Sequence, residues 1–319
     1  MGSDVDAQDR FSGMDLFFLL LGKIVPLYAL IALGFVAGQV LRVGRRSLSK
    51  ILIQIIVPAV FFGAAATMEL RPAYILLPFV CYGMAAIMGT TMYHLSGLVY
   101  QDRHRNLIGQ ASSTANSGYL GVPVFAALYP EHISIYIFAA LDVALCEYTL
   151  GLYFLARGHF SPRESLKKIV QMPVLYATAA GLALNASGIG LSQNLVDLWG
   201  HFRGAYVVLG IMIVGLGLSG VKSLSLGGGR FAALLWGQKF VLWPALAFGL
   251  VALDHHTIAL LDDTARRVMM MISIMPLAGN TVAFAAHYRI HPEKAATTVF
   301  FSMFIGLVYI PVFVALFLS

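Results

Sequence analysis

Two helix-breaking segments, each set inside an otherwise apolar stretch and about 160 residues apart, constrain this chain more than any other feature. The first reads Asn116-Ser117-Gly118-Tyr119-Leu120-Gly121-Val122-Pro123 and continues through Phe125-Ala126-Ala127-Leu128-Tyr129-Pro130-Glu131. The second reads Met275-Pro276-Leu277-Ala278-Gly279-Asn280-Thr281, then Phe284-Ala285-Ala286-His287-Tyr288, and closes at Pro292-Glu293. Proline lacks an N–H and glycine loosens the backbone, so each segment frees polar backbone groups. Hydrocarbon cannot satisfy such groups, and irregular backbone survives at membrane depth only where protein buries it or a watery cavity lines it. Paired breaks in corresponding halves of a chain point to a transporter's substrate site.

The membrane assignment rests on composition. The chain is 59% hydrophobic and 11% charged, with a mean hydropathy of +0.81, whereas a soluble domain carries roughly a quarter charged residues. Its formal net charge of +6 comes mainly from short loops between apolar runs, which fits membrane topology and argues against a nucleic-acid partner. Cys81 and Cys146 both lie in apolar runs and imply packing, not a disulfide framework. Residues 1–15 form a polar N-terminal tail whose first thirteen residues precede an alternative start at Met14 and are expected to lie outside the fold.

Hydropathy and breaker residues predict ten spans, at 16–41, 47–67, 73–99, 106–129, 132–156, 172–188, 203–221, 231–253, 265–288 and 293–318. A basic link at 157–171 separates a first five-helix repeat, 16–156, from a second, 172–319. Fourteen lysines and arginines fall on one set of connections and five on the other. That bias puts the richer side in the cytoplasm and both termini outside. Five spans per half then oppose the halves in orientation, giving an all-α polytopic protein built as a 5+5 inverted repeat. A second match supports the duplication: Pro26 to Gly34 and Pro173 to Gly181 share a spacing of 8, each led by a Leu-Tyr-Ala-containing run.

Candidate binding groups cluster at the breaks. Asn116 offers an amide donor and acceptor; Ser117 and Thr281 add hydroxyls; Gly118 and Gly121 permit close backbone approach; Asn280 repeats the amide in the second segment. Pro123, Pro276 and Gly279 are the expected breaking or hinge positions. The two segments are related in kind and do not superimpose, since Asn116 precedes its proline and Asn280 follows its own. Half-helix N-termini at such breaks suit a carboxylate, and the freed carbonyls would equally hold Na⁺. Asp142 and Glu147 are the acidic groups inside a span; they read either as proton-coupling carboxyls or as partners of Lys23 or Lys239. Lys239 itself is expected to snorkel. His255, His256, Asp262 and Asp263 have the composition of a metal cluster without its spacing and read as a solvated loop, so no metal is expected. No His-Glu-x-x-His or Gly-x-Ser-x-Gly motif occurs, and the chain does not read as an enzyme.

At Asn116-x-Gly118-x-x-Gly121-x-Pro123, at Pro276 with Asn280, and at Tyr288…His291-Pro292-Glu293, the chain resembles the auxin efflux carrier family. Its short basic link resembles that of the bacterial members. The resemblance implies a bile-acid-symporter-like fold, with a scaffold of spans 1–2 and 6–7 and a core of spans 3–5 and 8–10. Spans 4 and 9 would cross at their prolines, with Asn116 the leading substrate contact. It also implies elevator-type transport of small organic anions, chiefly carboxylates, in a cell membrane, often as a homodimer, coupled to H⁺, Na⁺ or neither. A Na⁺-coupled bile-acid-type symporter is the alternative on the same fold; a channel or a ligand sensor is the alternative in kind.

Overall fold

The computed structural model describes residues 13–43, 45–155, 162–220 and 229–318. Most of the polar tail, the start of the basic link at 157–161 and Gly227 with Gly228 lie outside the described residues. Within them the chain is all-helical, without strands. Seven segments are long and apolar enough to cross a membrane: Gly13–Gln39, Ser47–Thr67, Pro72–Gly97, Pro130–Leu155, Gln193–Ser219, Gly229–His256 and Pro292–Phe317. Pro173–Ala186 is a shorter apolar helix. The two remaining expected spans are interrupted, as His104–Ser112 with Val122–Leu128 and as Asp263–Ile274 with Asn280–His287. Helix Gln193–Ser219 begins ten residues before the expected 203, because hydropathy marks only the apolar part of a helix whose first turns carry Gln193, Asn194 and Asp197.

Proline shapes several of these helices from within. Widened π-turns at Leu52–Ile56, Ser117–Gly121 and Gln238–Leu242 stand just before Pro58, Pro123 and Pro244. A proline ring collides with the carbonyl one turn back and offers it no donor, and an extra residue in that turn relieves both conflicts. A fourth π-turn, Glu147–Gly151, occurs without a proline. Glu147, Ser117 and Lys239 all stand on such turns, so the deformations carry the polar residues.

Two helix pairs pack at backbone contact. Gly13–Gln39 lies on Gln193–Ser219, and Pro173–Ala186 lies on Val57–Thr67. At Gly34 an added Cβ would stand 2.1 Å from the Met212 carbonyl oxygen, and at Gly181 one would stand 2.4 Å from that of Phe62. These are the two glycines that end the matched proline-to-glycine spacings, so both serve one purpose in different pairs. In lipid, where helices gain little from hydrophobic burial against each other, such close van der Waals contact is a main source of association. Asn185 adds a polar tie, its Nδ2 donating to the carbonyls of Ala65 at 2.9 Å and Met68 at 2.7 Å, which finish the helix Ser47–Thr67.

The acidic end of the supposed loop cluster is a helix cap. Asp262 Oδ1 accepts from the Ala265 N–H at 2.9 Å, and Oδ2 accepts from the Tyr74 hydroxyl at 2.7 Å. His255 and His256 are exposed.

Replacing Gly181 by leucine should force the two helices apart and destabilise the protein by about 1–3 kcal/mol or more. Gly190→Ala, where an added Cβ meets nothing within 4 Å, should leave stability near wild type. Thermal unfolding of the detergent-solubilised protein, followed by intrinsic fluorescence, distinguishes the two.

Candidate functional site

The two broken segments meet. The Asn116 backbone N–H donates to the Pro276 carbonyl at 2.9 Å, so one break supplies the donor and the other the acceptor. The Asn116 carbonyl in turn accepts from Leu120 at 3.3 Å and Gly121 at 3.1 Å, starting the chain into the following π-turn. In the second break the Leu277 N–H donates to Ser302 Oγ at 3.3 Å. Met275 is extended, and the helix resumes at Asn280. Freed backbone groups are therefore bonded across segments, as burial in hydrocarbon requires.

The glycines at the breaks make room for aromatic side chains. A Cβ on Gly118 would stand 2.2 Å from the Tyr206 hydroxyl oxygen, and one on Gly121 2.0 Å from that of Tyr136. Tyr136 uses its hydroxyl to donate to the Ser117 carbonyl at 3.2 Å. Tyr206 and Tyr119 face each other with ring centroids 5.3 Å apart. Gly279 fits against Val214 in the same manner, 2.7 Å from an added Cβ to Cγ2.

Beside this meeting point lies a cavity of about 400 Å³. Asn116, Gly118, Gly279, Asn280 and Glu147 all line it, so five of the residues expected from sequence come together. Ser117, Gly121 and Thr281 do not line it; they are buried in the packing behind, as are Pro276 and the hydroxyl oxygens of Ser117 and Thr281. Pro123 is half-buried. Asn280 Nδ2 donates to Glu147 Oε1 at 2.8 Å, joining the second break to the helix Pro130–Leu155. The far wall comes from Gln54 and Val57, from Met172 with Pro173, and from Tyr206. Apart from Pro173, which the matched proline-to-glycine spacing marked, none of these stands out in the sequence. Gln54 and Tyr206 stand in apolar helices among many similar residues, and only the proline at 173 carried a signal.

Asp142 and Lys239 form a separate buried feature. Asp142 does not line the cavity, and its Oδ1 has no hydrogen-bond partner among the described residues. Lys239 does not snorkel. It is 0% exposed, with Nζ 4.0 Å from the Trp243 ring centroid, a cation–π contact. Trp243 Nε1 donates to the Ser112 carbonyl at 3.0 Å, on the last turn before the first break. Lys23, by contrast, is exposed on its helix, which leaves Lys239 as the lysine within electrostatic range of Asp142.

Gly118→Ala should drive a methyl group into the Tyr206 hydroxyl and lower thermal stability. Adding Tyr206→Phe removes that oxygen and should recover part of the loss, a coupling of about 0.5–3 kcal/mol. Strict additivity of the two substitutions in thermal unfolding would show that the contact does not operate.

Comparison with known proteins accords with this geometry. A family model described as membrane transport protein matches residues 19–165. A protein described as an uncharacterized transporter, from Methanothermobacter thermautotrophicus, is 23% identical over 300 residues, spanning 90% of this chain and 95% of its own length. The matched stretch contains the first break with its Asn116-to-Pro123 motif, and over those residues the chain is similar to membrane transport proteins.

Proposed function

We propose that this protein is a secondary active carrier of small organic anions, chiefly carboxylates, with the substrate bound in the cavity beside the two breaks. The observation that carries the proposal is the composition of that cavity's walls. One wall is made of the broken segments and the helix Pro130–Leu155, and the other of residues from Ser47–Thr67, Pro173–Ala186 and Gln193–Ser219. A site between two such groups is exposed or closed by sliding one group on the other, which is the requirement of an elevator mechanism. Asn116 supplies an amide on the cavity side, and the N-terminus of the helix Asn280–His287 brings partial positive charge and backbone donors.

The ten-span inverted repeat belongs to the same proposal. A two-fold relation between halves would map the first span on the sixth and the second on the seventh. The contact of span 1 with span 7 then maps onto the contact of span 6 with span 2, and these are the two close pairs described above. In this reading the segments at 104–128 and 263–287 are crossover helices, residues 13–67 and 173–219 are scaffold, and the remainder is the moving core. The protein resides in a cell membrane with both termini outside, and a homodimer through the scaffold is compatible with it. Glu147, inside the cavity, and Asp142, behind it, are the candidate carriers of a coupling proton.

Asn116→Ala should reduce carboxylate uptake into proteoliposomes roughly ten- to hundredfold, the cost of about 1.5–3 kcal/mol for a lost hydrogen bond to a charged group, while the protein still reaches the membrane. Wild-type flux in that variant would sink the site assignment. Asp142→Asn or Glu147→Gln should change the pH dependence of uptake, and unchanged profiles in both would remove them from coupling. A requirement for a Na⁺ gradient would favour the bile-acid-type symporter; conductance without saturation would favour a channel, and binding without flux a sensor.

A further inference from the structure

Away from the cavity, four side chains from two helix starts meet: Asp102 and His104, at the start of the first broken span, and His291 with Lys294, at the start of the helix Pro292–Phe317. His104 is buried. Its backbone N–H donates to Asp102 Oδ1 at 3.1 Å, and its ring Nδ1 lies 2.7 Å from both Asp102 carboxylate oxygens. Lys294 Nζ stands 2.9 Å from His104 Nε2. The His291 ring stacks on the His104 ring with centroids 3.7 Å apart, and its Nε2 is 4.0 Å from Asp102 Oδ2. Tyr100 also stacks on His104, at 4.8 Å, and Phe231 meets its edge at 5.9 Å.

The partners dictate where the protons are. A lysine ammonium has only donors, so the Nε2 that faces it must be an acceptor. The imidazole is then neutral with its proton on Nδ1, which donates to Asp102. The three groups Asp102, His104 and His291 are close enough to suggest a divalent-cation site, their ligand atoms all within 4.8 Å of one another. The tautomer argues otherwise, because the ring nitrogen facing the carboxylate carries a hydrogen and the other faces an ammonium.

We propose that Asp102, His104, His291 and Lys294 form a proton-operated clasp, closed when both imidazoles are neutral, which ties together the ends of the two broken spans on the face that the lysine and arginine bias assigns to the cytoplasm. The charged and titratable groups around it are Asp102, Arg103, Lys294 and Tyr100. A proton added to Nε2 of His104 ends the bond from Lys294 and sets two cations against each other, with Arg103 beside them. A proton on His291 places a charge against the stacked His104 ring. Burial, then His104, Lys294 and Arg103, hold the His291 pKa below its ordinary 6.5, against the pull of Asp102. At Asp102 burial opposes ionisation, yet the bonds from His104 and the nearby imidazoles outweigh it and hold that pKa below the usual carboxylate value. A histidine with a depressed folded-state pKa contributes stability above its unfolded value, about 6.5, and loses it as pH falls through the folded value. The clasp is therefore shut at neutral pH and opens on acidification.

The backbone is built for release. Arg289 and His291 have φ of 54° and 44°, left-handed values that non-glycine residues adopt only when contacts hold them. His291 precedes Pro292, which disfavours the right-handed helical region for it. Opening the clasp would free the connection between Asn280–His287 and Pro292–Phe317, and with it the segment that follows the second break.

Any effect on transport rests on the carrier reading, whereas hydrogen–deuterium exchange reads the clasp directly. In full-length protein in nanodiscs, amides at 98–106 and 288–296, corrected for intrinsic rates, should lose protection by roughly tenfold between pH 7.5 and pH 5.5, the scale of a one-unit displacement of a titration. His104→Gln and, separately, His291→Gln should abolish that step, and His255→Gln, on an exposed site, should leave it in place. A step that persists in both clasp variants, or no step in the wild type, overturns the proposal. If His104→Gln fails to fold, the His291 variant alone decides.

Discussion

The hydrogen bond from the Asn116 N–H to the Pro276 carbonyl is the interaction on which the rest of the architecture depends. Each broken span leaves backbone groups that its own helix no longer satisfies, and at membrane depth an unsatisfied group costs several kcal/mol. Breaking both spans at one place lets each supply what the other lacks. A single break would need a side chain or a water in that position; two breaks need only each other and a serine, as Ser302 provides for Leu277. The cavity follows from this economy, because the residues that lose helical partners lie beside space that a continuous helix would have filled.

Close packing around the breaks makes the arrangement unique. Gly118, Gly121 and Gly279 are each overlaid by a side chain from another helix, Tyr206, Tyr136 and Val214. Their role is therefore steric, at positions where a methyl group has no room. Gly34 and Gly181 do the same for whole helices, admitting a neighbouring backbone carbonyl. Such contacts are short-ranged, so they hold one register and penalise others. The proposed carrier mechanism needs this rigidity within each helix group, so that motion is confined to the surface between them.

Charge is placed with similar economy. Lys239 is buried against the face of Trp243, and the same indole donates to the Ser112 carbonyl. One aromatic side chain thus supports a buried cation and ties its helix to the first broken span. Glu147 reaches the cavity on a π-turn and accepts from Asn280. Asp142 lies five residues earlier on the same segment and faces away from the cavity. Two carboxyls that read alike in sequence have different surroundings, because residues five apart on a helix of 3.6 residues per turn point in different directions.

The class of molecule, the existence of the breaks and the residues at their centre were legible in the sequence, because hydropathy, proline and glycine act locally and hydrocarbon forbids irregular backbone without a partner. Asn116, Gly118, Gly279, Asn280 and Glu147 were found in this way and do meet at one cavity. The spacing shared by Pro26–Gly34 and Pro173–Gly181 was visible too, though not its purpose. Only the tertiary structure decided which side chains from distant helices complete the site. Gln54, Met172 and Tyr206 carry no local mark, since a cavity wall is set by what faces it and not by what precedes it in the chain. The same holds for His104, His291 and Lys294, ordinary residues at two helix starts until the fold brings them within hydrogen-bond or stacking distance. Local chemistry wrote the breaks into the sequence; long-range packing chose their partners.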